Sequence, residues 1–175
     1  HNTLIGGLAG DALTTGGSNV AVGYNSLSTE DGHGGNVAVG TNVLAVQNAG
    51  ATGYNTAVGH NAGLSVTTGI ENTFIGGLAG DATTDADYNV ALGARALGTN
   101  QLGSRSVALG RGALETQNPA TATDMYNTAV GYAAGLNVTT GIYNVLIGGL
   151  AGDAITDADF NIAVGTNALS TNVLG

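Results

Sequence analysis

Apolar and polar positions follow one short template along the whole chain: Asn, a variable residue, two apolar residues, Gly. The template begins at Asn2, Asn19, Asn36, Asn55, Asn72, Asn89, Ser106, Asn127, Asn144 and Asn161, in steps of 17 residues interrupted by one of 19 and one of 21. Ser106 is the one departure from Asn, and the fifth position is Gly in every copy. The apolar run is short, rich in Val, Ile and Ala, and bounded by glycine, which predicts a strand rather than a helix. Repeats of this length predict a stacked solenoid, each copy forming one coil.

Adjacent strand residues face opposite ways. The third position (Ala21, Ala57, Phe74, Leu146 and equivalents) and the fourth (Val22, Val58, Ile75, Ile147 and equivalents) are both apolar throughout. Both strand faces are therefore expected to be dry, with something covering the second. Bulk is traded between nearby positions, as close packing requires. Where the third position is large (Leu4, Phe74, Leu146) the sixth is glycine (Gly7, Gly77, Gly149), and the ninth alternates between Gly and Leu.

A longer period lies on top. Asn72–Asp81 matches Asn2–Asp11 and Asn144–Asp153, and Tyr54–Ile70 matches Tyr126–Ile142. The chain thus reads as one repetitive domain over 1–175, in four-coil cassettes 2–71 and 72–143 with a partial one over 144–175. Both lengthened coils take third place in their cassette, with extra residues around Gln47–Gly53 and Gln117–Asp124, which predicts loops on one face. The expected fold is an all-β solenoid, a β-roll of about ten 17-residue coils. Such a coil has a thin core, and an apolar second face buried against copies of itself would supply the missing area. A homotrimer about a long axis is the expected form.

Composition narrows the partners. Three arginines stand against twelve carboxylates, a formal net charge of −9, and there is no lysine or cysteine. Scattered Arg95, Arg105 and Arg111 cannot form the cationic surface that nucleic acid or an anionic membrane requires. No stretch approaches 18 consecutive apolar residues, and no charged-then-apolar leader opens the chain, so neither membrane insertion nor a signal peptide is expected. Disulfides and thiolate metal sites are excluded.

The units Asn127–Gly141 (NTAVGYAAGLNVTTG) and Ser106–Leu114 (SVALGRGAL) resemble the left-handed β-roll repeats of trimeric autotransporter adhesin heads, and still more the repeat arrays of bacteriophage tail fibres. The resemblance covers essentially the whole chain. It implies a homotrimeric structural fibre shaft, extracellular or on a virion surface, that presents a receptor-binding tip. An adhesin head that binds a host surface or glycan directly is the alternative, and an ice-binding solenoid a remote one. The 17-residue unit exceeds the usual adhesin-head repeat, and no stalk, anchor or chaperone segment accompanies it, which favours the shaft. With a repeat starting beside His1 and no polar capping segment, the chain is expected to be a piece of a longer fibre or a subunit that stacks end to end.

Candidate sites are few. Asn19, Asn55, Asn72, Asn89, Asn127, Asn144 and Asn161 are expected to stack between coils and satisfy turn carbonyls. Gly23, Gly59, Gly76, Gly93, Gly131, Gly148 and Gly165 are expected to mark a bend or a close backbone approach. Both sets are structural. Asp85, Asp87, Asp157 and Asp159 have alternate spacing that suits calcium, but the glycine and distal glutamate of an EF-hand loop are missing, and solvated turns are expected instead. His1, His33 and His60 occupy non-equivalent places with no recurring carboxylate or serine partner, so no catalytic set and no cofactor are expected. Tyr54, Tyr88, Tyr126, Tyr143 and Phe160, each just before the Asn position, are expected to form a partial stiffening ladder. The loops containing Pro119 and Met125 are the expected receptor contacts.

Overall fold

The computed structural model describes residues 1–171. Its main element is one ten-stranded parallel sheet with a strand from each coil. In chain order these are β1 (Thr3–Ile5), β2 (Val20–Val22), β3 (Val37–Val39), β4 (Thr56–Val58), β5 (Thr73–Ile75), β6 (Val90–Leu92), β8 (Val107–Leu109), β10 (Thr128–Val130), β11 (Val145–Ile147) and β12 (Ile162–Val164). Neighbours in sequence are neighbours in the sheet, and equivalent positions pair directly, as in Ala21↔Ala38 and Ala129↔Leu146. Two shorter strands, β7 (Gly103–Ser104) and β9 (Thr123–Asp124), pair beside the second lengthened coil. No helix occurs among the described residues. At about 4.8 Å per parallel strand the stack is roughly 48 Å long.

The first nine coils turn at the same three left-handed corners, and the tenth shows the first two among the described residues. They lie at the seventh, ninth and last positions, for example Asn25 (φ 57°), Leu27 (φ 50°) and Tyr54 (φ 49°). Leu, Tyr and Arg rarely adopt this conformation, so stacking must hold these corners in place. The constant fifth-position glycine has a different requirement. At Gly6 φ is 127°, and a Cβ there would lie 2.6 Å from the Gly23 carbonyl oxygen of the next coil. The expected close backbone approach is what the glycine serves.

The core runs down the axis in columns. The third position is fully buried from Ala21 to Leu146, alongside an eighth-position column of alanines interrupted by Ser26 and Val43 and the ninth-position leucines Leu27, Leu44, Leu97 and Leu114. Phe74 shows how bulk is exchanged: a Cβ on Gly80 would sit within 2.8 Å of its ring, and one on Gly63 3.0 Å from it. The third and ninth positions therefore compensate each other. The expected trade with the sixth position is corrected, because a Cβ on Gly77 or Gly149 would meet nothing within 4 Å. That position points away from the core.

The second strand face is apolar but is not covered within the chain. Positions two and four carry only Val, Ile, Leu and Thr in all ten coils. Mid-stack members remain accessible, Leu92 by 45% and Ile147 by 39%.

Candidate functional site

The asparagine ladder closes each coil and joins it to the next. Asn55 Nδ2 donates to the Gly69 carbonyl of its own coil (2.8 Å), and Asn55 Oδ1 accepts the backbone N–H of Asn72 (2.8 Å). Asn19, Asn72, Asn89, Asn127 and Asn144 repeat both contacts. Asn161 donates the last link, its backbone N–H bonding Asn144 Oδ1 (2.9 Å). Two members differ, and both begin lengthened coils. Asn36 Nδ2 is buried with no acceptor. Ser106, at the start of the other, has no amide to satisfy, and its Oγ lies 3.2 Å from Gln117 Oε1.

A second inward column, at the twelfth position, holds Leu13, Glu30, Gln47, Val66, Thr83, Asn100, Gln117, Val138 and Ile155. All from Glu30 onward are buried. Polar members in this column form two related knots. In the later one Asn100 Oδ1 accepts the Gly103 N–H (3.1 Å), and Gln117 Nε2 donates to Asn100 Oδ1 (3.3 Å). Gln117 Oε1 in turn accepts from Asn127 Nδ2 (3.0 Å). In the earlier knot Glu30 takes the place of Asn100 and His33 that of Gly103. Glu30 Oε1 accepts the His33 N–H (3.0 Å), and Gln47 Nε2 donates to Glu30 Oε2 (3.4 Å).

His33 Nδ1 lies 3.4 Å from Glu30 Oε1; the His33 side chain is 31% accessible and that of Glu30 fully buried. With Asp31 they form a group whose donor atoms all lie within 4.8 Å of one another. An open groove of about 370 Å³ adjoins it, lined by residues including Ser18, Gly32, His33, Gly35, Thr52 and Tyr54. The grouping occurs in one coil only, so the expectation that His33 has no recurring carboxylate partner does not reveal it. The available signal was Glu30 itself, an ionisable residue in a column otherwise apolar or neutral.

The calcium candidates are engaged elsewhere. Asp85 Oδ1 accepts hydroxyls from Thr67 (2.7 Å) and Thr68 (2.8 Å), which hold its carboxyl below the usual range. Asp87 and Asp159 accept the N–H groups of Ile70 and Ile142, and Asp157 bonds the Thr156 hydroxyl. Burial raises the Asp81 carboxyl.

On the surface, the expected last-position ladder forms in part, and Tyr54 joins no ring stack among the described residues. Tyr126, Tyr143 and Phe160 stack face to face with centroids 5.2 and 5.0 Å apart. Arg105 continues the column, its guanidinium 4.5 Å from the Tyr88 ring and 6.0 Å from Tyr126, and is fixed by an ion pair to Asp124 at 3.0 Å. Stacked rings offer a sugar only their edges. One set of threonine hydroxyls ties the coils together: Thr14, Thr67, Thr84, Thr99, Thr116 and Thr139 each donate to a carbonyl of the next coil. No protein-family model, curated protein or solved structure matches the chain.

Proposed function

We propose that the chain is a shaft segment of an extracellular or virion fibre of the phage tail-fibre kind, assembled as a homotrimer. The observation that carries this reading is the outward strand face. Twenty positions over ten coils carry no charge and no polar group beyond the threonine hydroxyl, in a chain of net charge −9. A flat, uncharged aliphatic face of this length is an association surface. Its side chains recur at the coil spacing, so a partner must share that spacing to stay in register, and further copies of the chain do so.

Three such faces around a common axis give a stiff rod with the acidic turns outside. The aromatic column and the threonine ties add stiffness in the direction a spacer needs. Ring-on-ring stacking of Tyr126, Tyr143 and Phe160 argues against a sugar platform at those rings.

Native mass by light scattering tests the proposal. A mass of three chains, falling to one chain in Val39→Arg/Leu109→Arg, is the expected result. A monomeric wild type would overturn the shaft reading. Binding of the isolated chain to a glycan array or host cells would instead favour an adhesin.

A further inference from the structure

We propose that Glu30, Asp31 and His33 form a binding site for a divalent transition-metal ion of the zinc class. Glu30 is fully buried inside the solenoid, where a carboxylate without a cation is costly. Its hydrogen-bond donors are one backbone N–H and one side-chain amide. The equivalent coil shows that the fold does not need a charge here, because Asn100 accepts the same two kinds of contact. Relative to that coil, two donor side chains are introduced together: Glu for Asn100 and His for Gly103. They face each other, with His33 Nδ1 3.4 Å from Glu30 Oε1.

Unspent polar atoms concentrate at the same place. Of five buried side-chain atoms without a hydrogen bond among the described residues, three are His33 Nδ1, Asn36 Nδ2 and Gln47 Oε1. Gln47 is fully buried and aims its amide at Glu30, leaving Oε1 as an acceptor beside the carboxylate. The corresponding oxygen of Gln117 has two neighbours within hydrogen-bond distance.

The donor set selects the ion. One imidazole nitrogen with two carboxylates suits zinc and its transition-metal neighbours, whereas calcium takes six to eight oxygens. Tetrahedral bonds of about 2.0 Å place donors roughly 3.3 Å apart. Glu30 and His33 already have that separation, and exposed Asp31 has the freedom to close the remainder. The groove beside His33 supplies the entry path and room for a fourth, water ligand.

Titration of the chelator-stripped chain with zinc chloride, followed by calorimetry, is the test, with calcium chloride as the comparison. One zinc per chain is expected, retained in His1→Ala and weakened by on the order of 100-fold in Glu30→Asn/His33→Gly. That double variant installs the residues of the equivalent coil, and its circular dichroism is expected to match the parent. Cobalt substitution gives a readout independent of variant folding: visible bands of a four-coordinate ion with a nitrogen ligand are expected in the parent chain. No zinc heat at millimolar concentration, equal binding by a folded double variant, equal affinity for calcium, or absence of the cobalt bands would each overturn the proposal.

Discussion

Gln47 and Gln117 occupy the same inward column in the two lengthened coils, yet they stand in different networks. Gln117 joins Asn100, Ser106 and Asn127 into a knot in which its own amide is used at both ends. Gln47 reaches only Glu30, and the Asn36 Nδ2 beside it has no acceptor, although Asn36 Oδ1 takes the Asn55 N–H. One backbone therefore carries a neutral network that closes on itself and a charged one that does not. Hydrogen bonding that closes is a means of specifying a structure, and a charged remainder is a place to put a ligand.

Gln117→Ala should have the largest effect on this contrast. It strips partners from Asn100, Ser106 and Asn127 and should cost about 3 kcal/mol, whereas Gln47→Ala should cost about 1 kcal/mol. Denaturant melts of the two variants measure the difference, and equal losses would mean that the networks are equivalent. Next in size is Glu30→Asn in the presence of a chelator. Removing a buried charge whose contacts Asn can keep should stabilise by about 1–2 kcal/mol, while Asn100→Glu should destabilise by at least as much.

Ser106→Asn probes the same lengthened geometry at the asparagine ladder. Its amide would face the problem seen at Asn36, and a loss of about 1 kcal/mol is expected in thermal melts.

The smallest effects separate surface carboxylates from the knots as sources of pH dependence. Asp85 is held below the usual carboxylate range by the Thr67 and Thr68 hydroxyls. Its contribution should be present above the unfolded-state pKa and disappear as pH falls through the lower folded value. Asp81 is raised by burial and should act in the opposite sense, its relative stabilisation present at low pH and lost as pH rises through the raised value. Asp85→Asn should therefore weaken the protein at neutral pH, and Asp81→Asn should strengthen it, each by a few tenths of a kcal/mol. Melts at pH 7 and in strong acid check both signs.

Much of this architecture was legible in the sequence, because a solenoid writes its contacts as a period. Strand, buried third position, close-approach glycine and asparagine ladder all follow from residues recurring at one place in each coil. The trade of bulk between third and ninth positions was also visible as alternating Gly and Leu. The sixth-position pattern misled because it co-varies with a coil's place in the cassette without touching the core. The Glu30 grouping was hidden for the opposite reason. A site made once, from residues unlike their equivalents, leaves no periodic trace, and the inward column that places Glu30 emerges only when every coil is aligned at its twelfth position. Aromatic stacking was partly foreseen, but Arg105 was not, since a cation serving as a ring neighbour has no aromatic signature in sequence.

The asparagine ladder also has a direction. Asn2 Oδ1 receives the N–H of Asn19, and each later coil except the one that follows Ser106 donates back to the one made before it. A completed coil thus presents ready acceptors to chain that has not yet been synthesised. Emerging from the ribosome N-terminus first, the polypeptide can add coils as a zipper closes, each finished turn serving as template for the next. Where Ser106 interrupts the chain of amides, Gln117 Oε1 supplies the side-chain acceptor by taking Asn127 Nδ2, beside the backbone pairing of β8 with β10.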